Sequence, residues 1–231
     1  MDEAARAAAL GSEAGLVVVA EQQTAGRGRR GHTWASPAGA GLYFSYLARP
    51  TRHVGLVTLA AGVGVREGVS RATGLTPQLK WPNDLLMGTR KLAGVLAEGT
   101  GIGTPGTIVT IGVGVNLRPA AYPPDVAARA TSLESELGCP VSPAAVLVAV
   151  LEQLADTLAA LEADRTDDIL QAWRAASPTA AGAVVTWSDH EGEKSGTTAG
   201  IDEEGALLVR TPTGLERVIA GELDWHVTDR S

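Results

Sequence analysis

Three arginines stand among three glycines in Gly26-Arg27-Gly28-Arg29-Arg30-Gly31, with Trp34 three residues on. Glycines leave backbone N–H groups uncovered, and arginine forks match oxyanions two oxygens at a time. Such a loop suits a polyanion. From Gln22 to Arg66 there is no Asp or Glu, although the whole chain carries a formal charge of −7. Three readings stay open on this stretch: a solvated basic loop, an arm for single-stranded nucleic acid, or a small-molecule phosphate site.

Three further stretches carry chemistry. Lys80-Trp81-Pro82-Asn83-Asp84 combines a cation, an amide and a carboxylate around a proline that cannot donate to a strand ladder. Lys91 heads the apolar run Leu92-Ala93-Gly94-Val95-Leu96-Ala97. It reads either as a rim lysine with its stem on apolar surface or as a cation at the mouth of a pocket. Gly112-Val113-Gly114-Val115-Asn116 closes an apolar strand with glycines, which mark a close approach to the backbone. Asn116 either caps a turn or binds a polar group.

These stretches need elements to hold them. The patterning predicts a helix over 2–10 stopped by Gly11, a strand over 16–20, and a strand over 42–47. It then predicts a buried helix over 54–73 ended by Gly74, whose glycines permit close packing. A hairpin follows over 85–98, then a central strand over 107–116. Short helical pieces are expected over 125–137. Ser142-Pro143 caps a helix to about Ala163 and Thr166 caps another to Ala176, with Trp173 in the core. From Gly182 the period becomes two, with turn clusters every eight to ten residues. Strands at 184–187, 196–201, 206–210, 215–220 and 223–227 suit a small SH3-like β-barrel. The boundary falls near Pro178, giving domains 1–178 and 179–231.

Composition narrows the classes. At 231 residues with 45% hydrophobic content, the chain buries a real core and is not disordered. Its acidic balance argues against bulk DNA binding. The single cysteine, Cys139, excludes an internal disulfide and a multi-Cys zinc site, and reads as a small apolar filler. No signal peptide and no apolar run of membrane-spanning length are read, so the cytoplasm is expected, without a membrane partner.

Taken together and in order, the Gly/Arg loop with Trp34, Lys80-Trp81-Pro82-Asn83-Asp84, Arg90-Lys91-Leu92-Ala93-Gly94 and Gly112-Val113-Gly114-Val115-Asn116 resemble the motifs of biotin protein ligases. The resemblance spans nearly the whole chain, including the Gly200-Ile201-Asp202 to Gly205-Ala206-Leu207-Leu208 pattern near the end. It implies an α/β (α+β) fold, a mixed β-sheet flanked by helices as in class II aminoacyl-tRNA synthetases, plus the C-terminal barrel. It implies a monofunctional ligase that makes biotinyl-5′-AMP from biotin and ATP. Biotin then passes to a lysine of a biotin carboxyl carrier protein domain of a carboxylase. Catalysis is expected from Arg29 and Lys91. Biotin is expected at Gln23, Arg27, Gly28, Arg29 and Lys91. ATP is expected at Arg27, Arg29, Arg30, Asn116 and Asp84, with Mg²⁺ on Asp84. The Gly/Arg loop is expected to order over the ligands and keep water off the adenylate.

Lys80 and Trp81 read as structural, and Trp34 either lines the biotin pocket or packs. Relatives carry a Ser-Thr-Asn-like segment before the first helix that contacts biotin. Here the chain begins where that segment would just have ended, so the start lies upstream or part of the pocket is missing. No helix-turn-helix domain is read, so no repressor role and no DNA partner are expected. The rivals are a lipoate-type ligase, a non-enzymatic nucleic-acid module and a degenerate, inactive ligase.

Overall fold

Alternation in the strand that ends at Asn116 sorts the molecule into two faces. Val109, Ile111, Val113 and Val115 point one way and are almost fully buried; Gly112, Gly114 and Asn116 point the other. The structure is a computed structural model that describes residues 1–120, 124–189, 192–219 and 223–226. The side chains of Arg30, Pro124, Asp125, Asp189 and His226 also lie outside that description.

Helix α1 (Asp2–Ala9) precedes β1 (Val17–Ala20) and β2 (Gly41–Ala48). Helix α2 (Val57–Thr73) leads to β3 (Gln78–Lys80), β4 (Asp84–Met87), β5 (Arg90–Thr100) and β6 (Ile108–Asn116). Then come α3 (Pro124–Ala127), α4 (Leu133–Leu137), α5 (Pro143–Glu162) and α6 (Thr166–Ala176). The first sheet has the order β1-β2-β6-β5-β4-β3. Its strand pairs are all antiparallel, and among the described residues parallel pairing near it is limited to an isolated bridge between Lys91 and Ala130. The expected mixed sheet is therefore antiparallel in its ladders: β3, β4, β5 and β6 follow one another as hairpins, and the loop over 21–40 returns β1 antiparallel to β2.

The apolar face of this sheet is covered by α2, and α5 packs on α2. The helices approach closely because α2 carries glycine at the crossing. A Cβ on Gly64 would lie 2.8 Å from Leu154 Cα, and one on Gly68 2.7 Å from Val150 N. Gly74 ends α2 in the left-handed conformation, at φ 76°. Ser142 caps α5, accepting from Ala145 N–H at 3.3 Å. Helix α5 is long and apolar enough to cross a membrane by length and composition, a feature the sequence reading missed. Here Val146, Val150, Leu154 and Leu161 are buried in the core it shares with α2. Thr166 does not cap α6; it is the first helical residue, after Arg165. Trp173 is in the core, as expected. Cys139 is exposed rather than a buried filler, because it follows the left-handed Gly138 that turns the chain out of α4.

The C-terminal strands are β7 (Ala181–Asp189), β8 (Gly192–Ile201), β9 (Leu207–Thr211), β10 (Gly214–Val218) and β11 (Asp224–His226). They form one antiparallel sheet in the order β10-β9-β8-β7-β11. The expected barrel is not closed among the described residues: β10 and β11 are the sheet's two edges. The expected strand ends at Ala220 and Val227 lie outside the described residues. The β8–β9 turn docks on the first sheet's helix layer. Trp81 Nε1–H donates to Gly205 O at 3.0 Å, and a Cβ on Gly205 would lie 2.8 Å from Leu59 Cδ1.

Candidate functional site

The glycine face of β5 and β6 is the floor of the site. Gly94 and Gly114 are register partners, and the Trp34 indole lies on both. A Cβ on Gly114 would sit 2.6 Å from Trp34 Cε2, and one on Gly94 3.2 Å from Trp34 Cζ3. Gly112 is covered by Met1, whose Sδ would be 2.5 Å from an added Cβ. These glycines thus provide the close approach that the motif implied. Trp34 Nε1 is buried without a hydrogen-bond partner.

Above the floor lies a cavity of about 560 Å³, the size of a small-molecule site. Gln23, Arg27, Gly28, Arg29, Asp84, Lys91 and Asn116 all line it. Of the residues named from the sequence, the side chain of Arg30 lies outside the described residues.

The Gly/Arg loop is a small closed turn. Arg27 and Thr33 form a bridge, Trp34 N–H donates to Gly26 O at 2.9 Å, and Gly28 N–H donates to His32 O at 2.7 Å. Gly31 takes φ 80°, which favours glycine at that corner. Arg27 is held between two elements, 2.6 Å from Asp2 Oδ1 and 3.1 Å from Glu98 Oε2. Gln23 is held through its backbone, with its N–H donating to Ser36 Oγ at 3.2 Å.

Lys91 reaches the cavity because β5 is irregular. Leu85 pairs with Ala93 and Leu86 with Lys91, so Leu92 is an extra residue, a β-bulge. Leu92 turns fully into the core, and Lys91 is left on the glycine face. The bulged backbone finds partners elsewhere: Lys91 N–H donates to Arg129 O at 2.7 Å, and Thr131 N–H donates to Lys91 O at 2.9 Å. Asn116, buried, clamps the same place, its Nδ2 donating to Thr131 O at 2.9 Å and Lys91 O at 3.3 Å. That contact gives Asn116 a positioning role in this structure.

The Lys91 ammonium lies 2.6 Å from Asp84 Oδ1 and 5.3 Å over the Trp34 ring. The Asp84 contact is an ion pair by distance whose angles fall outside those of a hydrogen bond. Among the described residues, Asp84 and Asp224 are the two carboxylates that line the cavity. Among the described residues no group of three His, Cys, Asp or Glu could hold a metal by itself. This donor set fits Mg²⁺ only as the companion of a polyphosphate.

The sequence reading treated Lys80 as structural and did not single out Arg129 or Trp225; all three line the cavity. Lys80 is the register partner of Asp84 across the tight β3–β4 turn. The spacing of four around Pro82 was the signal available. Arg129 and Trp225 arrive from distant segments, with no local motif. Burial pushes the Lys80 ammonium below the usual lysine range, opposed by the charge of Asp84 and reinforced by that of Lys91.

Comparisons with known proteins fit this geometry. A family model described as the biotin/lipoate A/B protein ligase family matches residues 8–116, and one described as the biotin protein ligase C terminal domain matches 185–224. The biotin–[acetyl-CoA-carboxylase] ligase of Paracoccus denitrificans is 32% identical, over 89% of this chain and 88% of that protein. The bifunctional ligase/repressor of Bacillus subtilis (strain 168) is 30% identical over 91% of this chain, which spans 66% of that relative's length. Among solved structures, the biotin protein ligase from Aquifex aeolicus in complex with biotin and ATP superposes with a TM-score of 0.84. It is 28% identical, covering 97% of this chain and 94% of that one. With both family models in order, and a relative matched over most of its length, the chain belongs to the biotin protein ligase family.

Proposed function

We propose that this chain activates biotin with ATP to biotinyl-5′-AMP and transfers the biotin to a lysine of a biotin carboxyl carrier protein domain of a carboxylase. The observation that carries this reading is the convergence of Arg27, Arg29 and Lys91 on one cavity over a glycine floor. A carboxylate and a triphosphate repel each other, and cations must screen them as they meet. Arg27 and Arg29 supply forks from the loop, and Lys91 a point charge from the sheet. A biotin carboxylate oxygen bonds to the α-phosphorus, the bond to the bridging oxygen breaks, and pyrophosphate leaves with the electron pair. The neutral amine of the acceptor then attacks the acyl carbon, AMP leaves, and the amine's proton passes to solvent.

Gln23 and the Gly28 backbone serve biotin, and Asp84 serves the nucleotide side. Mg²⁺ arriving with ATP would be met by Asp84 and would neutralise phosphate charge. Asn116 acts by fixing Lys91. The unpartnered Trp34 N–H supports a place for Trp34 in the ligand wall. Residues 1–178 form the ligand-binding domain and 179–231 the C-terminal one, in a cytoplasmic setting. A lipoate-type activity is the weaker alternative, since the relatives above are named for biotin.

Biotin-dependent exchange of labelled pyrophosphate into ATP tests the reading. Exchange with biotin and not with lipoate is expected. Exchange with lipoate alone, or with neither acid, would overturn it.

A further inference from the structure

We propose that Lys80 binds the terminal phosphates of the nucleotide, the part that departs as pyrophosphate, and that Trp225 holds its ammonium at the cavity wall. The inference rests on the ATP-dependent reading above and adds a binding residue to it.

Lys80 ends β3, the outermost strand on its side of the sheet, and lines the same cavity as Lys91. Its side chain is partly buried, yet it makes no ion pair with any carboxylate among the described residues. Asp84, its register partner, is engaged by Lys91 at 2.6 Å. What Lys80 does have is the face of Trp225, 5.4 Å from its ammonium. A partly desolvated ammonium with no carboxylate in direct contact costs stability, and a methionine of similar length would pack there without that cost. An anion entering the cavity would remove the cost.

Among the described residues, the charged groups facing Lys80 are Asp84 from β4, Lys91 from β5, Asp224 from β11 and Arg129 from the segment after α3. Within that set three cations, Lys80, Lys91 and Arg129, stand with two carboxylates, and the surplus is positive. The two lysines also divide the space. Lys91 lies against Trp34 and Gly94 on the glycine floor, whereas Lys80 stands beside the C-terminal sheet. The reacting α-phosphate belongs with Lys91, and the leaving group with Lys80. As the bond from the α-phosphorus to the bridging oxygen breaks, its electron pair moves onto pyrophosphate. A fixed ammonium there stabilises the developing charge.

The test compares the full chain with Lys80→Met, which keeps the stem, and Lys80→Arg, which keeps the charge. In Lys80→Met the KM for ATP, and for pyrophosphate in the reverse reaction, should rise about tenfold or more, the scale of one hydrogen bond to a charged group. The KM for biotin and single-turnover transfer from pre-formed biotinyl-5′-AMP should not change, and Lys80→Arg should recover part of the loss. In the wild-type chain, pyrophosphate should protect Lys80 from amine acetylation read by mass spectrometry, which keeps the test open if a variant fails to fold. An unchanged KM for ATP and pyrophosphate, an equal loss in both half-reactions, or no protection of Lys80 would each overturn the proposal. A wild-type chain without any biotin-dependent exchange would strike the underlying reading instead.

Discussion

Asp84 and Lys91 stand 2.6 Å apart on neighbouring strands without being register partners. Asp84 pairs with Gly94, and Lys91 with Leu86. Strict alternation from Gly94 would send Lys91 to the core side. The extra residue Leu92 reverses it, so one bulge sets both a core leucine and a site lysine. Replacing Lys91 by alanine is expected to slow adenylate formation by about 100- to 1000-fold, the scale of losing one charge-stabilising donor. The melting temperature should stay near that of the parent, because the pair is partly exposed. Pyrophosphate release in a single-turnover assay measures it, and a near-parental rate would remove Lys91 from the mechanism.

Arg27 is tied to Asp2 of α1 and Glu98 of β5. These pairs are solvent-exposed enough to be worth under about 1 kcal/mol each, yet together they orient the loop. Asp2→Asn combined with Glu98→Gln should leave thermal stability unchanged and speed tryptic cleavage after Arg27 and Arg29. Biotin and ATP should slow that cleavage again. An unaltered digestion pattern would show that the ion pairs do not hold the loop.

Trp34 lies where Gly114 has no side chain. Gly114→Ala places a methyl 2.6 Å from the indole and must lift it from the floor. We expect altered tryptophan fluorescence on adding biotin and a raised KM for biotin. A variant with parental biotin affinity would mean that the floor is not part of the site.

Gly68 makes the α2–α5 crossing possible. Alanine normally favours a helix by about 1 kcal/mol over glycine, but here its methyl meets the backbone of Val150. Overpacking costs about 1–3 kcal/mol, so the clash wins and Gly68→Ala should lower stability in urea unfolding. A stabilised variant would contradict the close crossing.

Burial pushes the Asp202 carboxyl up, but hydrogen bonds from Ala206 N–H, Arg217 and Glu204 N–H outweigh it and hold the group below the usual aspartate range. A carboxyl depressed in the folded state contributes stability above its unfolded pKa of 3.8 and loses it as pH falls through the folded value. Asp202→Asn should therefore be less stable than the parent at neutral pH, with the gap closing below about pH 3.8. Denaturation midpoints across pH 2–7 would check this; a gap that widens in acid would refute the sign.

Local patterning alone determined the Gly/Arg loop, the glycine face of β6, the strand placing of Lys91, the Ser142 cap and the sheet-rich C-terminal segment. Each is written within about ten residues, as turn chemistry or period. What only tertiary structure decided was which groups share one cavity. The bulge at Leu92 shows only in register against β4, and Asn116 shows its clamp only once residues 129–131 return to β5. Lys80 looked structural because its setting is made by Trp225 and Asp224, more than a hundred residues away. The α5 helix likewise owes its place in the core to glycines on α2 that its own sequence does not contain. Short-range rules report conformation, whereas burial and electrostatic environment depend on whatever the fold brings alongside.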